Sequence, residues 1–126
     1  MSAPLLAVID VVAENRGVVR AALRECDYHV QEFSTAEEFL SSGTVDEPSL
    51  ACVVLDLSVP TMSALELQSQ LTQRGLRVPT VLVASDFQEY VKLAPQAALG
   101  DATALLYKPF DDRALLSAIL AASVRA

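Results

Sequence analysis

The sequence predicts an α/β fold, a doubly wound five-stranded parallel sheet with helices on both faces. Short runs that are apolar throughout, such as Leu5–Ile9 and Leu50–Leu55, suit strands buried on both sides. Amphipathic stretches of helical spacing alternate with them, which is the pattern of repeated βαβ units. The connections are short. At 126 residues, 52% of them apolar, the chain suits one domain over 1–126 with ample material for a core.

The first strand, Leu5–Ile9, ends at Asp10. A helix over Asn15–Glu25 follows, with Val18, Val19, Ala22 and Leu23 on one face. His29–Phe33 is the second strand. Ser34 and Glu37 have capping-box spacing and open a short helix through Leu40. The turn formers of Gly43–Pro48 make a loop, and Leu50–Leu55 is the central strand, stopping at Asp56. Ser63 and Glu66 form a second capping box for a helix carrying Leu65, Leu67 and Leu71 and closed by Gly75.

Thr80–Ala84 is the fourth strand, behind Pro79, and Ala104–Tyr107 the fifth. A final helix capped by Asp111 or Asp112 turns Leu115, Leu116, Ile119 and Leu120 inward. Between Ala84 and Ala104 a fourth crossover helix is due, yet Pro95 sits in its middle. A proline there removes a hydrogen bond and costs about 3 kcal/mol, so this helix is broken or begins at Pro95 after a longer loop.

Composition excludes several functions. Sixteen acidic against nine basic side chains leave a net charge of −7, and no Lys/Arg stripe exists to neutralise phosphates, so direct nucleic-acid binding is not expected. No segment approaches the roughly 20 apolar residues that span a bilayer. The first nine residues carry no Lys or Arg and Asp10 interrupts the apolar run, which argues against a secretory signal. Cys26 and Cys52 make no disulfide framework and are read as small packed residues in a reducing cytoplasm. His29 is the sole histidine, an exposed strand-edge residue, so neither a zinc site nor a His-based triad is available. No glycine-rich nucleotide loop is present.

The candidate chemistry lies at the strand ends. In open parallel sheets functional groups gather at the carboxyl edge, where the loops diverge. Asp10 ends the first strand, Asp56 the third, Ser85 follows the fourth and Lys108 the fifth. Two carboxylates and an amine suit a divalent cation and a transferred phosphoryl group, with an Asp as nucleophile and the Lys on a phosphoryl oxygen. Lys108 is one of two lysines, with Lys92, and precedes Pro109. That pair suits a tight turn, with a cis bond as one form, aiming the amine back at the sheet.

Three stretches then carry a resemblance: Phe33-Ser34-Thr35-Ala36-Glu37-Glu38-Phe39-Leu40; Val53-Val54-Leu55-Asp56-Leu57-Ser58-Val59-Pro60 with Met62-Ser63-Ala64-Leu65-Glu66-Leu67; and Lys108-Pro109-Phe110. In this order and separation they resemble the receiver domain of two-component response regulators (a CheY-like, flavodoxin-like fold), in its FixJ-like branch. The resemblance implies that Asp56 is the phosphoacceptor, phosphorylated by a histidine kinase in a Mg²⁺-dependent step. It implies Asp10 in the acidic pocket, Lys108 as the phosphate-binding lysine, and Asp10, Asp56 and the Ser58 backbone carbonyl around the metal. It also implies a signalling domain that is not an enzyme and that commonly precedes a DNA-binding effector domain outside this chain.

Four departures cut across that pattern. The acid expected after Asp10 is Val11, which withholds a metal ligand, so Mg²⁺ should bind weakly or not at all. Glu14 is the nearest spare acid and lies too far into the following segment. The switch hydroxyl position is Ala84, with Ser85 as a candidate substitute one residue on. The switch aromatic position is Leu105, and Tyr107 should face away from the pocket. The stretch from Ala84 to Lys108 also runs about two residues longer than the family's pattern. Two readings follow: a working phosphoacceptor receiver, or a phosphorylation-independent pseudo-receiver that acts as an interaction module, toward which the missing parts weigh slightly. A homodimer through the fourth and fifth strands and the last helix is a further expectation. A phosphatase is disfavoured, because no second aspartate follows Asp56 two residues on.

Overall fold

The computed structural model describes residues 3–57, 64–85, 88 and 103–125. Five parallel strands form one sheet in the order β2-β1-β3-β4-β5: β1 Leu5–Ile9, β2 His29–Phe33, β3 Leu50–Asp56, β4 Thr80–Ala84 and β5 Thr103–Tyr107. The described helices are α1 Ala13–Ala22, α2 Ala36–Ser41, α3 Ala64–Gln73 and α4 Asp112–Arg125. Chain order reverses direction between β1 and β3, and a doubly wound sheet opens a crevice at that point, beyond the carboxyl ends of its strands.

Side-chain alternation divides the core into two layers. Leu6, Val8, Cys52, Val54, Val81, Val83, Ala104 and Leu106 point to the face covered by α1 and α4. Ala7, Ile9, Val53, Leu55 and Leu82 point to the other, against Phe39 of α2 and Leu67 and Leu71 of α3. β1 and β4 are buried along their whole length, as expected for central strands covered on both faces. His29 lies exposed on edge strand β2.

Several helix details differ from the sequence reading. Helix α1 begins at Ala13, two residues earlier than expected, and ends at Ala22, passing into a 3₁₀ turn over Arg24–Cys26 that stops at left-handed Asp27. Its inward face is Val19 and Leu23; Val18 is 53% exposed. The cap of α2 is Thr35, whose Oγ1 accepts from the Glu38 N–H at 3.1 Å. The capping pair is therefore Thr35 and Glu38, one residue beyond Ser34 and Glu37, and the Ser34 hydroxyl donates to the Glu38 side chain instead. The expected loop contains a 3₁₀ turn over Gly43–Asp46 that buries Thr44 and Val45.

Helix α3 closes as proposed at Gly75, with φ of 73°. The Gly75 N–H reaches the Thr72 carbonyl and the Leu76 N–H the Leu71 carbonyl, both at 2.9 Å, a Schellman closure that needs the left-handed glycine. Asp111 caps α4, accepting from the Ala114 N–H at 2.8 Å. The inward stripe of α4 is Leu115, Ala118, Ile119 and Ala122, whereas Leu120 is 62% exposed. A 3.6-residue period through Leu115 selects 118, 119 and 122 and turns position 120 outward. Ser63, Met62, Leu65 as a side chain, and Pro95 with the fourth crossover segment lie outside the described residues.

Candidate functional site

Strand alternation alone brings three charged groups to one place. Asp10 continues the Leu6–Val8 side of β1, Asp56 the Cys52–Val54 side of β3, and Lys108 the Ala104–Leu106 side of β5. All three therefore emerge on the α1/α4 face at the carboxyl edge of the sheet. The Asp10 N–H reaches the Phe33 carbonyl at 3.0 Å and the Lys108 N–H the Ala84 carbonyl at 2.8 Å, so both residues extend the ladders by one position. The Lys108–Pro109 peptide is cis.

Asp56 and Asp10 are 2% and 5% exposed. The Lys108 Nζ donates to Asp56 Oδ2 at 2.5 Å and lies 3.6 Å from Asp10 Oδ2. Burial pushes the Asp10 carboxyl above its ordinary range; the Val12 N–H opposes this, Asp56 adds to it through its charge and a hydrogen bond, and Lys108 opposes it. Asp10 Oδ1 accepts from the Val12 N–H at 2.9 Å and from Asn15 Nδ2 at 3.5 Å. A cavity of about 220 Å³ opens beside the three charges, walled by Val8, Val54, Val83, Val18 and Phe110.

Val11 is 49% exposed and does not line the cavity, and Glu14 is exposed on α1. Ala84 is fully buried at the end of β4; Ser85 is exposed in the bend beyond it. Leu105 packs with Leu82 on the opposite face of the sheet, and Tyr107 is exposed on the side away from Lys108. Ser58 lies outside the described residues. Cys52 is buried, which pushes its thiol up to about 12 and leaves no thiolate for chemistry near neutral pH.

Asn15 and Arg16 were not singled out from sequence, yet both bond to Asp10. The available signal was an Asn-Arg pair just past the β1 terminus. A helix read from Asn15 leaves the pair's direction unset; the observed start at Ala13 shifts the helix toward β1 by about half a turn and puts both side chains within reach of Asp10.

The donor set bears on a metal. Two carboxylates give the oxygen ligands Mg²⁺ accepts, and it often takes only one or two from protein. Among the described residues no group of three or more acids, cysteines or histidines is gathered to hold an ion, and Val11 supplies no oxygen. The residues fit a weakly held Mg²⁺ that shares the carboxylates with the Lys108 ammonium.

Residues 6–120 match the family model described as the response regulator receiver domain. The chain is 30% identical over 122 residues to nodulation protein W of Bradyrhizobium diazoefficiens, covering 94% of this chain and 52% of that protein. It is 30% identical over 118 residues to the response regulator protein TodT of Pseudomonas putida, covering 91% and 50%. Among solved structures, full-length FixJ from B. japonicum superposes with a TM-score of 0.79 at 28% identity, covering 97% of this chain and 58% of that one. The chain thus spans about half the length of the curated relatives it matches.

Proposed function

The chain belongs to the response regulator receiver domain family and is a receiver domain of two-component signal transduction; on that premise we propose that Asp56 is its phosphoacceptor. The observation that carries this reading is the Lys108 ammonium set 2.5 Å from Asp56 and 3.6 Å from Asp10 at the sheet's switch point. The relatives give no reason to prefer a phosphorylation-independent module.

The donor in this reading is a phosphohistidine of a histidine kinase. An Asp56 carboxylate oxygen attacks phosphorus, the P–N bond breaks as the P–O bond forms, and the imidazole leaves with a proton from solvent. Lys108 moves its hydrogen bond to a phosphoryl oxygen, compensating charge where it accumulates. Asp10, Asp56 and the Ser58 carbonyl would hold Mg²⁺, which supplies charge neutralisation for the incoming phosphoryl group. Asp56 stores the group as an acyl phosphate, so the domain signals and does not turn over a substrate. The setting is the cytoplasm, and among the described residues no helix is long and apolar enough to cross a membrane. An effector domain beyond this segment, as the length of the relatives suggests, would carry the output.

Intact mass after incubation with acetyl phosphate and Mg²⁺, beside Asp56→Asn, tests the assignment. A single phosphoryl adduct that disappears in the variant is expected. A folded protein that stays unlabelled where an ordinary receiver is labelled overturns it.

A further inference from the structure

The backbone of Asp10 is held from a direction that the acidic cluster does not explain. β1 and β2 pair up to Ile9 and Phe33, so the Asp10 carbonyl lies one position beyond the last paired residues. It accepts instead from Arg16 Nη1 of α1, at 2.6 Å. The same guanidinium donates through Nε to Glu32 Oε1 of β2 at 3.3 Å. Glu32 also pairs with Arg20 one helical turn on. The Arg16 and Glu32 side chains are only 17% and 26% exposed, so losing Glu32 would leave the Arg16 charge poorly compensated and its guanidinium less firmly held.

We propose that Arg16 is a positioning residue for phosphoryl acceptance. Its guanidinium fixes the Asp10 main chain so that the carboxylate faces Lys108 and Asp56, and Glu32 on the edge strand holds the guanidinium in place. This rests on the reading of Asp56 as phosphoacceptor. With the N–H on Phe33, the carbonyl on Arg16 and Oδ1 on the Val12 N–H, the residue is pinned at three points, and Oδ2 is left turned to the ammonium. Among the described residues Arg16 bonds to Asp10 and Glu32 and to neither Asp56 nor Lys108. Its effect must pass through Asp10. The planar fork suits this task, since two of its N–H groups serve two acceptors on different elements at once.

The test is the rate of Asp56 labelling by acetyl phosphate in the whole chain, for Arg16→Met, Arg16→Lys and Glu32→Gln, each with and without Asp10→Asn. Displacing a group by about 1 Å can cost as much as 100-fold, and roughly tenfold slower labelling is expected for Arg16→Met. Arg16→Lys should recover part of the rate, and Glu32→Gln should fall between, which also covers the case of an Arg16→Met protein that does not fold. In the Asp10→Asn background, slower at the outset, Arg16→Met should cause no further loss. Labelling of Arg16→Met at the native rate, or a loss undiminished in the Asp10→Asn background, overturns the proposal. An unlabelled native chain instead removes the phosphoacceptor reading itself, and this inference with it.

Discussion

At the scale of single residues, the site differs from an open acidic pocket because an internal cation already sits between its carboxylates. Lys108 reaches both Asp56 and Asp10, and Val11 adds no charge at the mouth. Val11→Asp would place a third carboxylate at a half-exposed position beside Asp10. An added unit charge near a bound dication in a largely aqueous setting is worth ~1–2 kcal/mol, so Mg²⁺ should bind about tenfold more tightly. Isothermal titration against the native chain checks this, and unchanged affinity would mean that position 11 turns away from the metal. Asp10 also sets a pH dependence. Its folded carboxyl titrates above the ordinary 3.8, chiefly through burial, so the folded state binds more protons than the unfolded chain just above that value. Stability from this group is therefore present at and below 3.8 and is lost as pH rises through the folded value. Asp10→Asn in metal-free buffer should raise the melting temperature at pH 7 and leave it nearly unchanged at pH 4. An equal shift at both would remove the charge from the explanation.

At the scale of elements, strands were easier to read than helix ends. An apolar run bounded by Asp or Pro has few alternatives, and β1 and β4 fall where the sequence places them. Capping spacing is degenerate: Ser34-Glu37 and Thr35-Glu38 both satisfy it. The choice is made by Ala36 and Phe39, which are fully buried and fix the phase of α2 against the sheet. This correction is measurable. Thr35→Ala should cost about 1 kcal/mol by urea denaturation, whereas Ser34→Ala removes only an exposed side-chain contact and should cost less than half of that. The reverse order would return the cap to Ser34. The outward turn of Leu120 has the same origin, since four leucine or isoleucine positions compete for a face that Ala118 and Ala122 fill at closer approach.

At the scale of the whole molecule, topology made the site legible. Once the strands are ordered, the parity of Asp10, Asp56 and Lys108 along them is enough to gather the three on one face. The carbonyl clamp of Arg16 was not legible, because it depends on where α1 starts and on which side chain of β2 lies beneath it. The same topology predicts how the fold answers to metal. Lys108 compensates part of the buried pair's charge and the residues fit Mg²⁺ only weakly, so a chelator should leave the melting temperature unchanged. Added Mg²⁺ stabilises by RT ln(1 + [Mg²⁺]/Kd), which for a Kd near 1 mM and about 10 mM metal is ~1.4 kcal/mol. In a domain of this length that is a rise of roughly 3–8 °C. A net charge of −7 means that any salt will relieve some self-repulsion, so the reference must be NaCl of equal ionic strength. Asp56→Asn should abolish the Mg²⁺-specific part and keep the salt part. A chelator-induced fall in the native chain would mean instead that a tightly held ion, beside Lys108, balances the two carboxylates.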